Sequence, residues 1–156
     1  MQSTNDIKFQ RESLASVRNE IVPLLERHWE EIAVNRDKIK LNPDWEIYEV
    51  LEAAGSLGIY TARSDKKLVG YFVVIAEKHI HYKDHIFAAN DIIYLAPEYR
   101  KGMVGVRLIK YAEHDLKRLG VSVLTINTKV HKPFDSLLER IGFSLKERVY
   151  AKYLGE

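Results

Sequence analysis

The chain has 156 residues, of which 46% are hydrophobic and 29% charged, with a formal net charge of +2 and no cysteine. That length suits one domain with a proper core, and the missing thiols exclude disulfides, cysteine nucleophiles and cysteine-ligated metals, which fits a reducing compartment. The first twenty residues are polar, with Asp6, Glu12 and Glu20 among them, so no signal peptide is read, and no apolar run approaches the ~18 residues of a membrane span; a cytoplasmic location without membrane partners is expected.

In chain order, Ile7 to Gln10 suggests a short strand. Leu14, Val17, Ile21, Leu24, Leu25, Ile32 and either His28 or Trp29 form the stripe of an amphipathic helix over 12–34. Pro23 lies inside it and predicts a kink, or a second helix beginning near Val22. After a charged loop, Asn42-Pro43-Asp44 opens a helix carrying Trp45, Tyr48, Val50, Leu51 and Ala54 and closed by Gly55. The period then alternates: strands over 57–63 and 68–76 pair as an antiparallel hairpin, and a turn at Lys83-Asp84 leads to a third strand over 86–95. A basic, glycine-containing turn follows, then a helix with Leu108, Ile109, Ala112, Leu116 and Leu119 on one side. The crossover places the next strand, 121–127, parallel to its predecessor. A short helix over 133–141 ends in Gly142, and Phe143 to Tyr153 reads as a closing strand. No repeat or linker divides the chain, so residues 1–156 are read as one domain.

The strand, turn and helix from Asp91 to Gly120 carry the strongest functional signal. A glycine turn feeding a helix exposes unpaired backbone N–H groups beside the positive end of the helix dipole, which suits a phosphate or pyrophosphate. Arg100 and Lys101 add charge there.

The segment Arg100-Lys101-Gly102-Met103-Val104-Gly105 resembles the acyl-CoA pyrophosphate loop of the GNAT N-acetyltransferase superfamily, whose pattern is Arg or Gln, two residues, Gly, one residue, then Gly or Ala. Arg100 and Gly105 keep the spacing, while Met103 replaces the middle glycine and Gly102 falls one place early. Leu137 to Phe143, Leu-Leu-Glu-Arg-Ile-Gly-Phe, is similar to the family's Leu-Tyr-Glu-Lys-Leu-Gly-Phe, and the order of elements is the family's as well. The resemblance implies an α/β fold of α+β type: a mostly antiparallel mixed sheet, one parallel pair at the cofactor cleft and helices on both faces. The last strand has no hairpin partner, so the sheet is expected to be one strand short.

The resemblance also implies an activity, the transfer of an acetyl group from acetyl-CoA to a primary amine, small-molecule or protein. By the same analogy the backbone of Tyr94, Leu95 and Ala96 holds pantetheine and the acyl carbonyl, and the amides of Arg100, Lys101, Gly102, Met103, Val104, Gly105 and Val106 hold the pyrophosphate. Asn127 resembles a strand-end asparagine that contacts the cofactor arm; it reads equally as a turn former. Asp91 is the candidate base, since burial among Ile92, Ile93 and Phe87 would favour its neutral form as a base near neutrality requires. Asp91 or Asn90 alternatively marks a β-bulge or hydrogen-bonds its own backbone. The family's acid is a tyrosine, and Leu138 occupies that position, leaving His131, Tyr111 or water.

The first helix pair, through His28, Trp29, Glu30, Glu31 and Trp45, is implied as the acceptor wall, where carboxylates and tryptophans could take a cationic amine; otherwise these are an exposed helix face and core tryptophans. His79, His81 and His85 read as surface histidines, and no metal site is expected. Met103 and Leu138 keep a second reading open, a degenerate GNAT-fold module that binds CoA or a protein without catalysis. Lys101, Arg107, Lys110, Lys117 and Arg118 could touch nucleic acid, but on an outward helix face such residues ordinarily just solvate, and no nucleic-acid partner is expected. A homodimer is left open.

Overall fold

The computed structural model describes residues 6–156. Five strands, β1 (Ile7–Arg11), β2 (Leu57–Ser64), β3 (Lys67–His79), β4 (Tyr82–Leu95) and β5 (Val121–Thr125), lie side by side in chain order. The pairs from β1 to β4 are antiparallel and β4 with β5 is parallel. Among the described residues there are four α-helices, α1 (Leu14–Ile32), α2 (Trp45–Ala53), α3 (Val104–Arg118) and α4 (Asp135–Arg140), and a 3-10 turn at Pro97–Tyr99.

Helices cover both faces of the sheet, and β3 shows why. Its central residues are buried on both sides: Tyr71 and Val73 join Val17, Ile21 and Leu24 of α1, whereas Phe72 and Val74 join Leu108, Ile109 and Ala112 of α3 and Leu138 of α4. Tyr71 and Phe72 are both 0% exposed. Truncating a side chain such as Phe72 to alanine costs about 3–5 kcal/mol, because the close-packed interior refills the hole only in part.

Two hairpins fix the register. β2 and β3 turn through Asp65 and Lys66, whose φ values of 46° and 68° give the left-handed pair that matches strand twist. β3 and β4 turn at Ile80 and His81 instead of the expected Lys83-Asp84, and both strands run longer than the sequence suggested. The reason is a ring cluster across the hairpin: His79 lies 4.8 Å from Tyr82 and 4.4 Å from Phe87 between centroids.

α1 is a single helix with Pro23 inside it. The proline faces solvent, so the carbonyl of Asn19 that loses its partner lies on the exposed side, while Ile21, Leu24 and Leu25 hold both halves against the sheet. Its start is fixed by Ser13, whose side chain accepts from the Ser16 N–H at 3.3 Å; Asp44 does the same for α2 through Ile47 at 3.1 Å. The expected closing strand over 143–153 does not form. Gly142, at φ 100°, ends the last helical turn, and the chain beyond it joins no ladder. Alternation makes a strand only when an edge runs alongside, and here the segment leaves the sheet.

Candidate active site

The parallel ladder between β4 and β5 ends at Ala89 and Thr125, yet β4 continues to Leu95. Past Asn90, therefore, one side of β4 has no strand beside it among the described residues. At the fork the Asn90 side-chain oxygen accepts the Asn127 N–H at 2.8 Å, a side chain standing in for the missing ladder bond. On the other side of β4, Val73 pairs with Ile92 and Val74 with Asn90, so Asp91 is the extra residue of a β-bulge. Bulges re-aim a side chain. The Ala96 N–H bonds to Val69 C=O on β3 at 2.9 Å; by strand alternation Leu95 and Ile93 turn their backbone groups to the open side, and those of Tyr94 face β3.

The turn into α3 lies next to this opening. The Arg100 N–H is spent on Pro97 C=O at 3.2 Å, and helical bonding resumes with the Arg107 N–H on Met103 C=O at 2.9 Å. Between them the N–H groups of Lys101, Gly102, Met103, Val104, Gly105 and Val106 find no acceptor among the described residues. Met103 occupies the cap position, and its thioether supplies no capping hydrogen bond. Gly102 adopts φ 92°, and a Cβ there would touch nothing; at Gly105 a Cβ would meet Leu137 and Leu95 methyls at an ordinary 3.9 Å. Six open amides beside the positive end of a helix dipole have the chemistry that suits an anion.

The Arg100 guanidinium is committed elsewhere. It forks onto the Glu31 carboxylate at 2.6 and 2.7 Å, donates from Nε to Leu95 C=O at 2.7 Å and lies 5.4 Å from the centre of the Tyr94 ring. Those hydrogen bonds hold the Glu31 carboxyl below its usual range against the opposing effect of burial. Two residues the sequence assigned to different substrates thus neutralise each other and join α1 to the turn. Lys101 remains exposed.

Asp91 is exposed rather than partly buried, because the bulge turns it out of the apolar row. It accepts a short hydrogen bond from the Tyr48 hydroxyl of α2. Burial, reinforced by that carboxylate, raises the Tyr48 phenol far above its usual value, so it stays protonated and donates. The sequence offered Tyr48 only as an apolar helix position; nothing local announces a partner 43 residues away.

The other expected residues scatter. His28 turns into the core: its Nδ1 lies 2.9 Å from the Tyr71 hydroxyl and its ring stacks 5.0 Å from Tyr94, and burial lowers its pKa to about 4. It presents nothing to an acceptor. The Trp45 ring carries Arg18 at 4.8 Å and the Trp29 ring carries Arg36 at 5.5 Å, so each ring already has an arginine on one face. Glu30 is exposed. His131 is exposed in the loop closed by the Lys129–Lys132 bridge, and Leu138 is buried against α3. Tyr111 packs on Phe9 and Tyr60, toward β1 at the far edge of the sheet from the fork, and cannot serve the cleft. Among the described residues no group of three His, Cys, Asp or Glu side chains is placed to hold a metal, and no helix is long and apolar enough to cross a membrane.

The sequence pattern of the Acetyltransferase (GNAT) family matches residues 18–143. No curated protein matches the chain. Solved structures do: an aminoglycoside acetyltransferase from an uncultured soil metagenomic sample, in complex with sisomicin, superimposes with a TM-score of 0.75 at 15% identity over 97% of both chains. The ribosomal-protein-alanine N-acetyltransferase of Brucella melitensis biovar Abortus 2308 gives 0.71 at 20% identity over 96% of this chain and 99% of that one. A predicted acetyltransferase of Clostridium acetobutylicum, solved with acetyl-CoA, gives 0.71 at 10% identity over 95% and 96%. At such identities the likeness concerns the fold; the family rests on the sequence match, and by it the chain belongs to the GNAT acetyltransferases, enzymes that use acyl-CoA donors.

Proposed function

We propose that this enzyme moves an acetyl group from acetyl-CoA to a primary amine by direct attack within a ternary complex. The observation that carries the reading is the row of six open amides at 101–106 beside the unpaired edge of β4. The amides suit the pyrophosphate of the donor, and the backbone of Ile93 with the N–H of Leu95 on the open edge suits its pantetheine arm. Acetyl-CoA supplies an activated acyl group; the protein's task is to place the amine, remove its proton and stabilise developing charge.

Asp91 stands at the fork and takes the amine proton, directly or through one water. Tyr48 holds the carboxylate in place by donating to it. The leaving sulfur takes its proton from His131 or from water, since the buried Leu138 has none to give. With no cysteine in the chain, a thiol-linked acyl-enzyme cannot form. Glu30 remains as an exposed acidic residue on the acceptor wall.

Thermal melting with and without acetyl-CoA, followed by thiol release against a panel of amines, tests this. A shift with turnover supports the enzyme. A shift without turnover on any amine supports the binding module that Met103 and Leu138 would suit, and no shift at all refutes the anion site.

A further inference from the structure

The turn between β5 and α4 holds a pair of lysines that the proposed chemistry leaves unused. Lys129 and Lys132 face each other across an antiparallel bridge, with the Lys132 N–H on Lys129 C=O at 3.0 Å. Residues opposed in this way carry their side chains on the same side, with Cα atoms about 5.5 Å apart. Like charges so placed repel each other. Both lysines are exposed, and neither ammonium has a carboxylate partner among the described residues.

The turn is firmly held, so the two charges are presented in a fixed place. Ile126 before it and Phe134 after it pack into the core of the α3 and α4 layer, and the Thr128 hydroxyl donates to the Asp135 carboxylate at 2.6 Å. It springs from the fork. Asn127, bonded to Asn90 at 2.8 Å, is at most about 7 Å of backbone from Lys129. From there it leans toward α1, Lys129 coming within electrostatic reach of His28 and Lys132 within that of Glu31. The acidic groups on that side are already matched: Glu31 is forked by Arg100, and Glu98 meets Arg27 at 3.2 Å. The lysine pair therefore stays uncompensated on the rim of the cleft.

We propose that this pair binds an anionic group of the acceptor, a phosphate or a carboxylate, so that the substrate is a small primary amine that also carries an anion. The inference rests on the acetyl-transfer reading above and narrows its acceptor. Asp91, bonded to Tyr48, lies on the face of the sheet that α1 and α2 cover, and the lysines lean to that same face. The open amides at 101–106 stand instead at the start of α3, which covers the other face, so the donor's diphosphate has its own partners there. An acceptor tethered by its anion at Lys129 and Lys132 presents its amine to Asp91, which is the positioning that direct attack requires. The anion also removes the repulsion between the two ammonium groups, and charge-assisted hydrogen bonds from both are of the strong kind.

Matched amines test this: phosphoethanolamine against ethanolamine, and β-alanine against propylamine. Calorimetry on the chain with CoA present, and thiol release from acetyl-CoA, are each expected to favour the anionic member by at least about tenfold, the difference lying in KM rather than kcat. In a variant carrying Lys129→Ala and Lys132→Ala, the two members of each pair should be taken alike, while calorimetry with acetyl-CoA gives an unchanged affinity. A control with Lys110→Ala and Lys117→Ala, the same change of charge on exposed positions of α3, should keep the preference. Absence of any preference in the unmodified chain overturns the proposal, as does a preference that survives loss of Lys129 and Lys132 or vanishes equally in the α3 control. Weakened acetyl-CoA binding in the Lys129 and Lys132 variant, with the preference intact, also overturns it and gives the lysines to the donor. If no amine releases thiol but calorimetry still shows a preference that this variant loses, the anion site stands and the acetyl-transfer reading falls.

Discussion

Gly102 and Gly105 lie three residues apart in the same turn, yet alanine should act on them in opposite directions. At Gly102 a methyl would meet nothing within 4 Å, so the whole penalty is conformational: φ 92° is a region that L residues avoid, at roughly 1–2 kcal/mol. For a chain of this size each kcal/mol moves Tm by about 2–4 °C, so Gly102→Ala should melt about 2–8 °C lower. If the turn relaxes instead, the peptide planes at 101–103 rotate and their N–H groups cease to converge. Each hydrogen bond to a charged acceptor contributes about 1.5–3 kcal/mol, and the loss of even one weakens acetyl-CoA binding by at least about tenfold. Gly105 sits in the first turn of α3, where a methyl would rest on Leu137 and Leu95 at 3.9 Å, away from the open amides. Alanine there gains helix propensity, up to about 1 kcal/mol, so Gly105→Ala should melt about 2–4 °C higher and bind the donor as before. Thermal melts at several acetyl-CoA concentrations read both quantities. Equal effects at the two positions, or a Gly102→Ala protein that neither melts lower nor binds the donor more weakly, would refute the role given to the turn.

Asp91→Asn should lower kcat by about 10²–10⁴ while donor affinity holds, measured by thiol release and calorimetry; full turnover would remove Asp91 as the base. Tyr48→Phe should lower kcat less than that, again with donor binding intact, because it frees the carboxylate without deleting it. His28 has a folded pKa of about 4, below its unfolded value of 6.5, so the unfolded chain binds more protons between the two. Stability is therefore complete above pH 6.5 and falls as pH drops toward 4, by roughly 2 kcal/mol at pH 4.5. Urea unfolding at pH 7 and 4.5 should show that loss in the natural chain and much less of it in His28→Gln; parallel slopes would disprove it.

The element order was legible because period changes are local: the stripe of α1, the alternation of β2 and β3, and the glycines after α2, α3 and α4 are all visible in short windows. The turn at 100–106 was legible for the same reason. What stayed hidden depends on partners distant in sequence. The exposed Asp91 and its bond to Tyr48 follow from a bulge set by pairing with β3, and the burial of His28 follows from Tyr71, 43 residues on. The cationic occupants of Trp29 and Trp45 are equally tertiary facts. Over 143–153 alternation misled, since a pattern states what a segment can pair with and not whether an edge lies beside it.

The fork between Arg100 and Glu31 acts as a rivet between α1 and the turn that precedes α3. On the proposed reading, with the amine against α1 and the donor on the turn, a ligand that shifts α1 pulls on the turn, and occupancy of one site is expected to be felt at the other. Thermodynamic reciprocity then fixes the sign and size of both effects as one factor: however much the amine tightens acetyl-CoA, acetyl-CoA tightens the amine equally. Glu31→Gln, by breaking the rivet, should bring that factor toward one; an undiminished factor would mean the message travels by another route.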